Sequence, residues 1–317
     1  MFSTKYFVKD INDIPSNWIF ENYLGTGKLV GQSVNIKSIF NEDDKTPSMF
    51  IYCKDGIYKF KCFSTGEHGS PINILMYKWK KTFSEVSKKL IEDYQNFLKS
   101  DYKISEIVEQ PKWKVIDYTT RTWIKEDVKY WTKYNIDSSV LKHFNVVSLL
   151  NYTMSNGTNS FTVENKLIYG FFTNDNKLYK IYQPNDKSLK FVNILDYIQG
   201  EEQLTNKYDI LIIASSLKDC MTLYSMGLQC DLIAPNSENS ILNENIIEKY
   251  KEKYNKIITI FDNDKAGINS MKLYKLKYNI PFCYYSLDKD ISDSVKNYGI
   301  KQTISELVPK IHRVLYD

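Results

Sequence analysis

The sequence predicts an α/β protein, α+β overall, whose carboxyl-terminal third is built on a central parallel sheet. Three observations carry this expectation. From Tyr208 onward, short continuous apolar runs alternate with helical segments. Upstream, the apolar runs are paired across the turn signals KDG and NDN, as in antiparallel hairpins. No internal repeat or low-complexity tract interrupts the 317 residues, a length that accommodates two or three domains.

Residues 1–98 open with a helical stretch near Asn17 to Leu24, and the strand-like runs VNIKSIF, MFIYC and YKFKCF follow. In SPINILMYKWKKTFSEVSKKLIEDYQNFL, apolar residues recur at helical spacing. Thr82, with Glu85 three positions later, makes a capping box for a second helix there. Residues 99–116 lose periodicity, contain Pro111 and read as a linker. Residues 117–205 start with the helical segments TWIKEDVKYWTKYNI and DSSVLKHF, then give the strands NKLIYGFFT and KLYKIYQP. In residues 206–317, the strands DILIIAS, CDLIAP, KIITIFDND and PFCYYSL alternate with the helices LKDCMTLYSMG, NENIIEKYKEKY, KAGINSMKLYKLKY and ISDSVKNYG. Continuous apolar strands of this kind are covered on both faces, which calls for parallel pairing with helical crossovers.

Composition narrows the function classes. Lys and Arg number 42 against 38 Asp and Glu, which excludes a polycation and leaves room for a local basic patch. The 25 tyrosines match a Lys/Asn/Ile/Tyr-rich codon bias, with base stacking as the functional alternative. Cys53, Cys62, Cys220, Cys230 and Cys283 form no C-x-x-C pair and read as reduced thiols. No apolar run approaches the ~18 residues of a membrane span, and the amino terminus has no secretory pattern, so a soluble cytoplasmic protein is expected. His68, His143 and His312 suggest no catalytic triad.

The chemistry is expected where parallel strands end. Asp262 and Asp264 follow IITIF, and their i, i+2 spacing points both carboxylates to one side. Two such groups suit Mg²⁺, which prefers hard oxygen ligands; the same residues also serve as turn formers. Ala266-Gly267 lets the next helix pack close to the strand.

The string IITIFDNDKAGINSMKLY resembles the DxD motif of the Toprim family, shared by bacterial-type primases, topoisomerases and some nucleases. YDILIIASSLKDCMTLYSMG resembles that family's first strand and helix, and LDKDISDSVKNYG its late acidic segment in primases. Upstream, DDKTPSMFIYCKDGIYKFKCFSTGEHGSPINIL resembles the primase zinc-binding domain, and KLYKIYQPNDKSLKFVN the basic segment of the polymerase core. The resemblance implies a small zinc-ribbon-like β domain at 1–98, a linker, a primase-core subdomain at 117–205 and a Toprim domain at 206–317. It implies Mg²⁺ or Mn²⁺ on Asp262, Asp264 and Asp290, and nucleic acid or nucleotide at Lys180, Lys190, Asn193 and Lys218, with Lys187 and Arg121 as further candidates. Asp288 and Asp293 lie beside Asp290, and both Asp288 and Asp290 also suit a helix start.

Two departures stand out. Cys62 matches the first knuckle cysteine, but Thr65 stands where the second belongs, and Ser38 to Glu42 occupy the place of the first ligand pair. A structural zinc site takes four N or S ligands, so zinc is not expected even with Cys53 and His68 as alternative members. The aromatics Phe50, Tyr52, Tyr58, Phe60 and Phe63 are expected to form a core instead. The second departure is Ser215, with Ser216, where the family carries Glu-Gly. Serine supplies neither an anionic ligand nor a base at pH 7. Asp219 remains on the following helix, and Glu238 in the loop APNSENS is the catalytic carboxylate expected to compensate.

The function so implied is synthesis of short RNA primers from ribonucleoside triphosphates on single-stranded DNA in phage or bacterial replication, with a replicative helicase as partner. No G-x-x-x-x-G-K-[ST] motif marks a helicase motor, and no helicase-docking domain is expected beyond Asp317. The rival expectations are a catalytically inactive primase-derived binding protein and a Toprim nuclease.

Overall fold

A computed structural model of the chain describes residues 8, 10–41, 44, 47–99, 104, 106–108, 111–205, 207–236 and 241–316. The chain divides into two compact units, residues 1–112 and 113–317.

The first unit holds α1 (Ser16–Leu24), β1 (Val34–Ile36), β2 (Met49–Lys54), β3 (Ile57–Cys62), β4 (His68–Gly69), α2 (Pro71–Trp79) and α3 (Phe83–Phe97). The strands form an antiparallel sheet in the order β1-β2-β3-β4. Asp55 and Gly56 turn the β2–β3 hairpin with φ of 53° and 73°. Two successive positive φ values match the strand twist, which is why a DG pair works there. Thr82 caps α3 as expected, with Glu85 Oε2 accepting from its amide at 2.9 Å.

The two-residue period of the hairpin decides its core. Met49, Ile51, Tyr58, Phe60 and Cys62 point inward against Phe20, Leu29 and Ile74. Of the five aromatics expected there, only Tyr58 and Phe60 enter. Phe50, Tyr52 and Phe63 fall on the other face of the hairpin, where Phe50 stacks on Tyr52 and Phe63 is exposed.

The second unit begins with β5 (Lys114–Thr120), α4 (Lys125–Thr132), α5 (Ser138–His143), β6 (Val146–Ser155), β7 (Ser160–Glu164), β8 (Tyr169–Phe172), β9 (Leu178–Tyr182) and β10 (Phe191–Asn193). These strands make an antiparallel sheet in the order β10-β9-β8-β6-β5, with β7 also paired to β6. There follow β11 (Ile210–Ala214), α6 (Leu217–Ser225), β12 (Asp231–Ile233), α7 (Glu244–Lys253), β13 (Lys256–Ile260), α8 (Lys265–Tyr278), α9 (Ile291–Tyr298) and α10 (Ile300–Tyr316).

The expected parallel sheet is present, in the order β12-β11-β13. Its strands read as unbroken apolar runs because both faces are covered. Leu211 and Ile213 pack with Tyr250, Met271 and Tyr274, whereas Ile212 and Ala214 pack with Leu217, Met221 and Leu307. The expected fourth strand, PFCYYSL, shrinks to a single parallel bridge between Thr259 and Phe282. Pro281 removes the donor that would extend the ladder. Among the described residues, no helix is long and apolar enough to cross a membrane.

Candidate active site

Three helix starts converge at the carboxyl ends of β11 and β13. Strand order reverses at β11, with β12 on one side and β13 on the other. That reversal opens a crevice where α/β sheets hold ligands. Ser216 caps α6, Asp264 caps α8 and Asp290 caps α9. Each cap carries acceptor oxygens to the same rim.

At the centre, carboxylate oxygens of Asp219, Asp262 and Asp290 all lie within 4.8 Å of one another. Asp219 and Asp262 are buried. Ser215 and Ser216 both donate to Asp219 Oδ2, at 2.8 and 2.6 Å, and the Ser292 amide donates to Oδ1 at 3.2 Å. The Ser215 hydroxyl also approaches the Asp262 carboxylate. Asp290 divides its duties: Oδ1 accepts from Asp293 N and Ser292 Oγ, while Oδ2 faces Lys218 Nζ at 3.9 Å. Helix start and site member are thus the same residue. Asp264 commits Oδ1 to the amides of Ala266 and Gly267, both at 3.0 Å. Its Oδ2 lies 3.3 Å from Lys289 Nζ, which is also 3.3 Å from Asp262 Oδ2.

Burial first, and then the neighbouring Asp290, push the Asp219 carboxyl up to about 6. Burial pushes Asp262 upward too. Burial works against the Asp264 carboxylate, but the Gly267 amide and Lys289 outweigh it and hold it below its ordinary value. Burial likewise pulls at the Lys218 ammonium, and Asp290 with Asp219 outweigh it and hold it above the usual range.

This donor set fits a hard divalent cation. Three carboxylates converge, two are buried, and like charges this close favour protonation unless a cation joins them. Asp219, Asp262 and Asp290 would hold Mg²⁺ or Mn²⁺. Of the expected ligands, Asp262 and Asp290 come together, and Asp264 stands one step aside as the α8 cap. The sequence reading did not place Asp219 among the ligands. Its signal was an acidic residue in the first turn of the helix after β11, which also suits a purely structural role. Glu238 lies outside the described residues.

The pH dependence follows from Asp219. Its folded value lies above the ordinary 3.8, so a cation has to displace a proton below about 6. Mn²⁺ affinity, measured by titration calorimetry, is expected to rise with pH through about 6 and then level off, with proton release on the acid side. In chelator the sign reverses for stability. The unfolded aspartate ionises first, so the melting temperature should fall as pH climbs from 3.8 towards 6.

Around the carboxylates, a cavity of about 270 Å³ is lined by Lys180, Lys190, Phe191, Asn193 and Lys218, among others. Lys190 and Asn193 are exposed. Lys180 is buried; its Nζ donates to Asn236 O at 2.7 Å and lies 4.9 Å from the Phe191 ring centre. Burial pulls its pKa down to about 8. Lys218 lies 4.5 Å from the Tyr134 ring centre. Arg121 is committed elsewhere, with its guanidinium paired to buried Asp127 at 2.7 and 2.9 Å. Lys187 is exposed on the turn before β10. Beside the cavity runs a groove of about 670 Å³ with seven lysines in its lining against Glu126, Asp290 and Asp293. Lys190, Lys218, Lys289 and Asp290 line both.

In the first unit, Cys62 Sγ lies 3.0 Å from Ser38 Oγ and 3.3 Å from Ser64 Oγ. Asp44 gathers the amides of Ser38 and Ser48 and the Ser48 hydroxyl, whose oxygen lies 2.8 Å from Ser64 Oγ. Cys53 cannot join Cys62. Its partner is Tyr58, whereas Cys62 pairs with Met49, four rungs away. At ~3.3 Å per residue that separates them by ~13 Å.

No curated protein sequence matches the chain. Residues 29–109 match the DnaG-type zinc ribbon, the CHC2 zinc finger family. Among solved structures, the chain is similar to the Aquifex aeolicus primase, zinc-binding and RNA polymerase domains (TM-score 0.45, 17% identity, 95% of this chain and 85% of that one). It is also similar to the primase fragment of the bacteriophage T7 primase-helicase protein (TM-score 0.40, 10% identity, 87% and 98%) and to a DnaG catalytic core (TM-score 0.44, 11% identity, 60% and 73%).

The matched family implies zinc, but the described residues around Cys62 do not fit it. One sulfur faced by hydroxyl oxygens is not a tetrahedral N/S set. Metal analysis is expected to find no stoichiometric zinc, and chelator should leave the melting of the first unit unchanged. Ser38→Ala, which strips a hydroxyl from buried Cys62, should cost about 1 kcal/mol.

Proposed function

We propose that the chain is a DNA primase-type nucleotidyltransferase that joins ribonucleoside triphosphates on a single-stranded DNA template. The observation that carries this reading is the carboxylate cluster at the switch point of the parallel sheet, opening into a lysine-lined groove. The zinc-ribbon match of residues 29–109 supports it. When bound, Mg²⁺ or Mn²⁺ supplies neutralisation of triphosphate charge and lowers the pKa of the attacking hydroxyl. Asp219, Asp262 and Asp290 hold it, with Ser215 and Ser216 fixing the Asp219 rotamer. Lys190 and Lys218 attract phosphates, and Asn193 offers a hydrogen bond beside the Phe191 ring. Ser215 cannot be the base, so the attacking hydroxyl gives its proton to solvent or to a carboxylate of the cluster.

The outer face of the β2–β3 hairpin is a template surface in this reading. Phe50 stands opposite Lys61, and Tyr52 opposite Lys59. Alternating rings and ammonium groups suit stacking on bases with phosphate contact, a mode that weakens with salt. A replicative helicase partner and a cytoplasmic, phage or bacterial setting belong to the same reading.

The test is de novo synthesis of labelled oligoribonucleotides on single-stranded DNA with Mg²⁺ or Mn²⁺. Folded protein that yields no product on any template overturns it. Ser215, where the resemblance expects a glutamate, favours a second reading: a binding protein without catalysis. That reading predicts full function in the double variant Asp262→Asn, Asp264→Asn. Plasmid nicking with Mg²⁺ would instead identify a nuclease.

A further inference from the structure

We infer that Lys289 is a built-in counter-ion of the carboxylate centre, which a divalent cation displaces towards the polyphosphate of an incoming nucleotide. The inference rests on the metal-binding reading above. Lys289 Nζ stands 3.3 Å from both Asp262 Oδ2 and Asp264 Oδ2, so one ammonium spans the two carboxylates that follow β13. Lys218, the other lysine at the cluster, is held differently. Its side chain is 17% exposed and packed over Tyr134, whereas that of Lys289 is 55% exposed. Lys289 can therefore leave without opening the fold.

Its backbone stays behind when the side chain leaves. Lys289 O accepts from Asn263 N at 2.6 Å, which ties the 288–290 loop to the Asp262–Asp264 turn. The Lys289 amide donates to Asp288 Oδ1 at 2.7 Å, and Asn297 Nδ2 holds the other Asp288 oxygen. The side chain pivots on a fixed point. It lines both the acidic cavity and the lysine-rich groove, so the path out of one leads into the other.

Charge sets the direction. Without a divalent cation, Lys289 offsets the repulsion between Asp262 and Asp264. A dication on Asp262 repels the ammonium and takes over that role. The freed ammonium then lies beside the anion that the groove would attract. Lys289 thus competes with metal and assists polyphosphate, two effects of opposite sign.

The test is Lys289→Met, with Lys289→Arg as the charge-conserving control. Mn²⁺ binding is read by electron paramagnetic resonance without nucleotide, and ATP binding by calorimetry at saturating Mn²⁺. Lys289→Met should bind Mn²⁺ about fivefold more tightly, the scale of the two ion pairs this half-exposed lysine makes, and ATP several-fold more weakly. Lys289→Arg should stay near wild type in both. Equal Mn²⁺ affinity in wild type and Lys289→Met overturns the counter-ion role and leaves the metal reading standing. Unchanged ATP affinity overturns the transfer to phosphate. Absence of Mn²⁺ binding in both proteins overturns the metal reading and this inference together. Neither binding measurement depends on turnover, so failed primer synthesis would count against the primase reading alone.

Discussion

Asp262→Asn should lower primer synthesis by about 10³-fold or more while leaving the protein folded, the scale of losing a principal electrostatic group from an active site. The substitution keeps the shape of the side chain and removes its charge. Asp262 is buried, and burial already pushes its carboxyl up, so the folded protein bears a cost for that charge. Losing it should raise the melting temperature in chelator, because the unfolded chain carries no such cost. Stability and activity therefore move in opposite directions. Asp264→Asn makes the contrast. Its Oδ1 takes two amides of α8, a task that asparagine performs nearly as well, and it stands outside the three-carboxylate group. Its activity loss should be smaller and its melt close to wild type. Full activity in Asp262→Asn would remove the catalytic reading.

These residues also show what the sequence could reveal. DILIIAS and KIITIF were legible because a strand buried on both faces has no polar period to confuse. β5 to β7 were not. Along β5 nearly every side chain is exposed, so no face of it registers as apolar. The DxD pair was legible as a candidate site, but its internal division was not. Asp262 and Asp264 look equivalent by spacing, and only the start of α8 commits one of them to backbone amides. Asp219 joins the cluster through the close approach of α6 to α9, where the Ser292 amide, 73 residues later, meets its carboxylate. Nor was the burial of Lys180 legible. It sits on β9, between β10 and β8, and its ammonium is bound by the carbonyl of Asn236, 56 residues on. Thr65 in place of a knuckle cysteine is visible in the sequence, whereas the Asp44–Ser48–Ser64 network around Cys62 needed the folded hairpin.

Gly267→Ala should be the most damaging single change to stability near the site, at about 3 kcal/mol or more. In a helix, glycine to alanine ordinarily stabilises by ~0.5–1 kcal/mol. Here the sign reverses for lack of space. An added Cβ would stand 2.2 Å from Asp262 O, 2.8 Å from Asp262 N and 3.0 Å from Asp262 C. All three are backbone atoms, so no side chain can swing aside. Gly267 has no positive φ, which leaves close approach as the reason for glycine. Relief requires α8 to withdraw from the end of β13. That movement pulls the Gly267 amide from Asp264 Oδ1 and shifts Asp262 within the carboxylate group. For a unit spanning residues 113–317, about 3 kcal/mol corresponds to a melting temperature lower by roughly 6–12 °C. Mn²⁺ affinity should fall with it, because the ligand oxygens move apart. A melt within a degree of wild type would show that α8 does not press on Asp262. The close strand–helix approach that positions the site would then have to be abandoned.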